Sequence, residues 1–164
     1  MIVFDFDCTL TKKHIRSKED LPSVEHDALR SGIRNLRASG YRVSLASYGH
    51  KGLIEQTLKD AGVYEDVELV VTPNTVADMY GVAWEDGYNP RSKWNLDKTT
   101  MLNIITDKTG LKKTNVLLVD DSYGNVTRAE SNGYHAVCVV ACEGVDSTLA
   151  KVFKTIAKID LFNS

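Results

Sequence analysis

Residues 1–11 read Met-Ile-Val-Phe-Asp-Phe-Asp-Cys-Thr-Leu-Thr. The apolar opening shows no polar alternation, which is the pattern of a strand covered on both faces of a parallel sheet. Carboxylates and hydroxyls follow at once, at Asp5, Asp7, Thr9 and Thr11. In an open parallel sheet, ligands bind outside the carboxyl ends of the strands. The stretch therefore suggests both a fold and the edge at which a site belongs.

The same design repeats outward. Short runs rich in Val, Ile and Leu give expected strands at 2–6, 42–46, 67–71, 116–120 and 136–140. Helical spacing separates them. Leu29, Ile33 and Leu36 precede Gly40; Ile54, Leu58 and Ala61 precede Gly62; Met101, Leu102, Ile104 and Ile105 precede Gly110. Glycine just past the last periodic residue is a helix-ending signal. A shorter helix is expected over 125–131, and a last one carries Leu149, Val152, Phe153 and Ile156 with Ser147 as its N-cap. Alternating β and α units predict an α/β fold: a Rossmann-like, doubly wound parallel sheet of five strands flanked by helices. Two stretches break the alternation. Residues 11–22 form a basic flap with Lys12, Lys13, His14, Arg16 and Lys18, and residues 73–96 form a long loop holding Tyr80, Trp84, Tyr88 and Trp94. Loops of that length are commonly functional.

A chain of 164 residues, 43% hydrophobic and 26% charged, suits one globular domain over 1–164. Its net charge of −2 excludes a whole-molecule basic field for nucleic acid. Its apolar runs fall far short of the ~20 residues of a membrane span, and Asp5 and Asp7 interrupt the start too early for a signal peptide. A cytoplasmic protein with no membrane partner is expected. Three cysteines, odd in number and without zinc spacing, read as buried thiols in a reducing compartment.

The strand ends collect the chemistry. The first yields Asp5, Asp7 and Thr9, the second runs into Ser47 and Tyr48, and the fourth ends in Asp120-Asp121-Ser122. Carboxylates gathered so closely repel, and a bound cation keeps them ionised. Hard oxygen donors with several carboxylates suit Mg²⁺. A helix cap or Asx turn would account for one such Asp, but hardly for the set.

In this order the residues resemble the four motifs of the haloacid dehalogenase superfamily. Asp5-Phe6-Asp7-Cys8-Thr9-Leu10-Thr11 is similar to the first, Ser47 after Val43-Ser44-Leu45-Ala46 to the second, Lys98 to the third, and Val116 to Asp121 with Asn125 to the fourth. The spacing of Lys98 and Asp120 is similar to that of the magnesium-dependent phosphatase branch, whose members have no large cap domain. The resemblance implies a phosphomonoester hydrolase in which Asp5 is the nucleophile forming an aspartyl-phosphate and Asp7 the general acid and base. Mg²⁺ would lie on Asp5, the Asp7 carbonyl and Asp121, with Asp120 binding through water or orienting its neighbours. Ser47 and Lys98 would grip the phosphoryl group. Cys8, with a free thiol, Thr9 and Tyr48 would line the phosphate site. Lys93, Lys112 and Lys113 rival Lys98, and Arg128 reads as an ordinary helix-surface charge.

Only 39 residues separate Asp7 from Ser47, too few for a full cap as well as the core elements. An open site points to a macromolecular substrate, foremost a phosphoprotein and within that class a phosphotyrosine, or to a neighbouring subunit acting as lid. A nucleic-acid end phosphatase and a small-metabolite phosphatase are the alternatives, and a phosphate- or partner-binding module without turnover is the non-enzymatic one.

Overall fold

The computed structural model describes residues 1–79 and 97–162. Five strands, β1 (Ile2–Phe4), β2 (Val43–Ala46), β3 (Val70–Val71), β4 (Leu117–Asp120) and β5 (His135–Cys138), form one sheet in the order β3-β2-β1-β4-β5. All pairings are parallel, with Ile2 beside Val43 on one side and beside Leu117 on the other. The helices are α1 (His26–Ala38), α2 (Lys51–Asp60), α3 (Pro73–Met79), α4 (Lys98–Thr109), α5 (Tyr123–Ser131) and α6 (Val145–Ile156).

Alternation along the strands sorts the core into two layers. Ile2, Phe4, Leu117 and Val119 face one layer with residues of α1, α2 and α6; Met1, Val3, Val116 and Leu118 face the other with residues of α3, α4 and α5. Both faces are covered, as the unbroken apolar runs required. Helices α1 and α6 meet at Gly32, where an added Cβ would lie 2.2 Å from Leu149 Cδ1. A side chain there would push the two helices apart.

The expected elements are present with shifted bounds. Pairing of the third segment with β2 begins at Glu68, whose N–H donates to Val43 O at 2.8 Å, but the strand itself is only two residues long. The stretch expected as a loop from 73 opens with a helix, α3, seeded by Pro73, whose fixed φ suits a first helical position. Tyr80, Trp84, Tyr88, Lys93 and Trp94 lie outside the described residues. Ser147 is not an N-cap. Helix α6 starts earlier, after Gly144 at φ 91°, and the Val145 N–H is met by Glu25 Oε1 at 3.4 Å, so a side chain from another element serves the helix end. No helix among the described residues is long and apolar enough to cross a membrane.

The cysteines differ most from expectation. Cys8 and Cys142 form a disulfide across 134 positions, and Cys138 is the free one. The Cys142 N–H also donates to Cys8 O at 2.8 Å. The loop after β5 is thereby stitched to the loop after β1. An odd cysteine count therefore carries no argument here for a reducing compartment.

Candidate active site

Past Phe4 the chain leaves the sheet in a tight turn. The Asp5 N–H still donates to Val119 O, and the Thr9 and Leu10 N–H groups fold back onto Phe6 O. Cys8 takes a left-handed φ of 58° inside this turn. Asp5 and Asp7, two residues apart on one short loop, thus meet different hydrogen-bond partners.

Asp5 is almost fully buried. Its Oδ1 accepts from Lys98 Nζ at 2.8 Å and its Oδ2 from Thr9 Oγ1 at 3.1 Å. Thr9 Oγ1 also sits 3.3 Å from Asp121 Oδ1. Thr9 is wholly enclosed, so it positions two carboxylates and does not line the phosphate site as expected. Lys98 opens α4 behind the N-cap Asp97, whose side chain accepts from the Thr100 N–H at 2.9 Å. It is 1% exposed, and its ammonium meets Asp5, Asp120 Oδ2 at 3.3 Å, Ala46 O at 2.5 Å and the Tyr48 ring at 5.0 Å. Burial pulls its pKa down, but the charges of Asp5 and Asp120 outweigh burial and hold it above the usual lysine value. Lys112 and Lys113 are exposed, far from this role.

Lys98→Met keeps the apolar stem and removes the charge, leaving Asp5 and Asp120 buried without it. Breaking a buried pair from one side costs about 3–5 kcal/mol. The metal-free variant should unfold at markedly lower denaturant than wild type at neutral pH. Burial already raises the Asp120 pKa. A carboxyl raised in the folded state destabilises only where it must ionise, so the deficit should shrink as pH falls toward about 4. Denaturant unfolding in EDTA across that range measures it; a gap independent of pH would show that the ammonium does not balance these carboxylates.

One oxygen from each of Asp5, Asp120 and Asp121 can be chosen so that all three lie within 4.8 Å of one another. Hard oxygen donors carrying more negative charge than Lys98 offsets fit a small divalent cation such as Mg²⁺. The three are not equivalent. Asp120 Oδ1 accepts from the Ser122 N–H at 2.8 Å, and its Oδ2 from Asn125 Nδ2 at 3.1 Å as well as Lys98. Both its oxygens are engaged, which suits the orienting role. Asp121 is more open, and burial together with the nearby Asp5 charge raises its pKa.

Asp7 is separate from that cluster. Its Oδ1 accepts from the Ile15 N–H at 2.8 Å, and its Oδ2 lies 4.0 Å from His14 Nδ1. Burial raises its pKa despite the Ile15 hydrogen bond and the charges of His14 and Arg16. Ser47 Oγ accepts from the Gly49 N–H at 3.0 Å. A Cβ on Gly49 would come within 3.0 Å of Asp7 Oδ2 and 3.2 Å of Ser47 Oγ, so glycine is what lets the second loop approach Asp7.

These groups line a cleft of about 540 Å³. Asp5, Asp7, Ser47, Tyr48, Asp120 and Asp121 are all on its walls. Cys8 is not, and the free-thiol reading is corrected: its sulfur is bonded to Cys142 and its N–H donates to Thr11 Oγ1 at 3.0 Å. Arg128 is a cleft residue too, 3.6 Å from Asp97 Oδ2. Gly49 and Asp97 were not anticipated from sequence; the glycine two positions after Ser47 was the available signal.

No family model and no curated protein matches the chain. Solved structures do. The core domain of a protein assigned as a phosphoglycolate phosphatase of Streptococcus pneumoniae superimposes with a TM-score of 0.56 over 96% of this chain and 94% of that one, at 15% identity. An uncharacterised protein of Corynebacterium glutamicum gives 0.55 over 95% and 91%, at 20% identity. A dehalogenase gives 0.53 at 18% identity, over 79% of this chain and 55% of its own length. The chain has the haloacid dehalogenase fold.

Proposed function

We propose that the chain is a Mg²⁺-dependent phosphomonoester hydrolase working through an aspartyl-phosphate on Asp5. The observation that carries this reading is the arrangement at the end of β1: Asp5 is held on one oxygen by buried Lys98 and on the other by Thr9, while Asp7 is fixed two residues on in a separate setting. An ionised nucleophile needs a counter-charge, and Lys98 supplies it. A general acid must keep a proton, and burial of Asp7 favours the protonated form. Asp5 attacks phosphorus, Asp7 protonates the leaving oxygen, and Asp7 then takes a proton from the water that releases phosphate. Ser47 Oγ accepts from Gly49, which leaves its own hydrogen to donate to a phosphoryl oxygen. Bound Mg²⁺, held by Asp5, Asp121 and the Asp7 carbonyl with Asp120 as a brace, would offset the charge of the phosphoryl group.

A phosphorylated protein is the substrate this reading favours, with phosphotyrosine first. Among the described residues the cleft mouth is open: the side chains of His14 and Arg128 on its wall are each 57% exposed. Tyr48 on the wall offers an aromatic surface to an aryl ester. The decisive experiment is phosphate release from an aryl phosphate with Mg²⁺, with EDTA, and with Asp5→Asn. Turnover should need both the metal and Asp5; folded wild-type protein without Mg²⁺-dependent turnover would overturn the reading.

Asp7→Asn separates the two halves of the reaction. With phenyl phosphate, a poor leaving group, the rate should fall about 10²–10⁴-fold. With 4-nitrophenyl phosphate, the first step should fall far less and phosphoenzyme should accumulate. Quenched-flow release of nitrophenol should then show a burst approaching one equivalent; equal losses on both esters would remove Asp7 from the acid role.

A further inference from the structure

The basic flap is less uniform than its sequence. Lys12 pairs with Glu25 at 3.3 Å and Lys13 with Asp20 at 2.5 Å, so each has its own carboxylate. Asp20 Oδ2 also accepts from the Arg16 and Ser17 N–H groups, at 2.8 and 3.1 Å. These bonds fix the backbone at 16, while the Ile15 N–H ties the flap to Asp7 itself. The Arg16 side chain is left exposed on the cleft wall. The other basic residues on the cleft wall face carboxylates: Arg128 lies 3.6 Å from Asp97 Oδ2 and His14 Nδ1 4.0 Å from Asp7 Oδ2. Among the described residues, Arg16 is the cleft-lining cation with no carboxylate at ion-pair distance, and its charge reaches Asp7 only from farther off.

A guanidinium is a planar fork matched to a carboxylate or phosphate, and its ordering by a short, tied loop lowers the cost of using it. We infer that Arg16 is a specificity-determining residue that binds a second anionic group of the substrate, a carboxylate beside the phosphoryl ester. The inference rests on the phosphatase reading and names its substrate class. In a phosphoprotein the carboxylate would be an acidic side chain flanking the phosphorylated residue; in a small molecule it would belong to a phosphorylated acid. The alternative role is purely electrostatic: Arg16 would offset the carboxylates of the cleft and treat all phosphate esters alike.

Binding to catalytically blocked protein keeps this test separate from turnover. In the Asp5→Asn background, phosphotyrosine peptides with Glu beside the phosphorylated residue should bind roughly 10-fold more tightly than their Gln counterparts, measured by calorimetry. Adding Arg16→Gln should collapse that ratio to near one, and Arg16→Lys should restore part of it. The preference should weaken with added salt in the Arg16 protein only. A parallel pair, phenyl phosphate against 4-carboxyphenyl phosphate, distinguishes the small-molecule source: a preference confined to that pair assigns the carboxylate to a small acid. A ratio unchanged within two-fold by Arg16→Gln, for both pairs, overturns the inference. Failure of the phosphatase reading shows elsewhere, as wild-type protein that binds these ligands and releases no phosphate.

Discussion

Asp5→Asn should lower phosphate release from an aryl phosphate by about 10⁴-fold or more and leave the protein folded. Removing a group that forms a covalent intermediate leaves only binding and electrostatic stabilisation, and in well-studied hydrolases that residue is small. The fold should survive because the amide preserves the shape of the site. Its oxygen can still accept from Lys98, which also keeps Asp120 at 3.3 Å and Ala46 O at 2.5 Å. The substitution also removes one of the negative charges facing Asp121. Steady-state rates with a circular dichroism melt read both halves. A variant that retains even one-tenth of wild-type turnover would place the nucleophile elsewhere, and one that fails to fold would show that Asp5 is needed first as the counter-ion of Lys98.

The disulfide carries the second large effect. Cys8 and Cys142 close a loop across 134 positions, and in the chain-entropy account a loop of that size restricts the unfolded state by roughly 5 kcal/mol, against 2–5 for natural disulfides removed from small domains. Total stabilities are about 5–15 kcal/mol, so reduction should shift the unfolding midpoint in denaturant strongly downward. Cys8→Ser and Cys142→Ser should show the same shift, and reductant should add nothing to either. The two substitutions should diverge in activity, because Cys8 adjoins Asp7 and holds the left-handed turn at φ 58°. An unfolding midpoint that ignores reductant would remove the crosslink from the account of stability.

Much of this was legible because a parallel strand buried on both faces writes itself as an unbroken apolar run. Ile2 to Phe4 and Leu117 to Val119 are fully buried, and the carboxylates that follow them sit where the sheet ends. Lys98 was legible from its spacing to Asp120, and its burial distinguishes it from Lys112 and Lys113. Other features depend on contacts that no local pattern encodes. Thr9 looked like a phosphate ligand because it follows Asp7 closely; its hydroxyl is spent on Asp5 and Asp121. Arg128 is the exposed helix charge expected, but a polar helix does not reveal which side borders a cleft. Ser147 looked like a cap because Glu25, 120 positions away from Val145, could not be seen serving the same helix end. The cysteine pairing was hidden in the same way, by a sequence separation of 134.

That pairing has a topological consequence for the chain as an object. Any single backbone cut between Cys8 and Cys142 leaves two pieces still joined by a covalent bond, and the break falls inside a closed ring. Such a nicked molecule stays one covalent unit until a reductant opens the ring, and its two parts remain at high effective concentration for one another. The loop carrying Asp5 and Asp7 lies at one end of the ring's closure and the start of α6 close to the other, with Thr148 Oγ1 donating to Thr9 O at 2.6 Å beside it. The clasp is thus set where the two ends of the fold meet, and a scission elsewhere in the ring would leave that meeting point tethered.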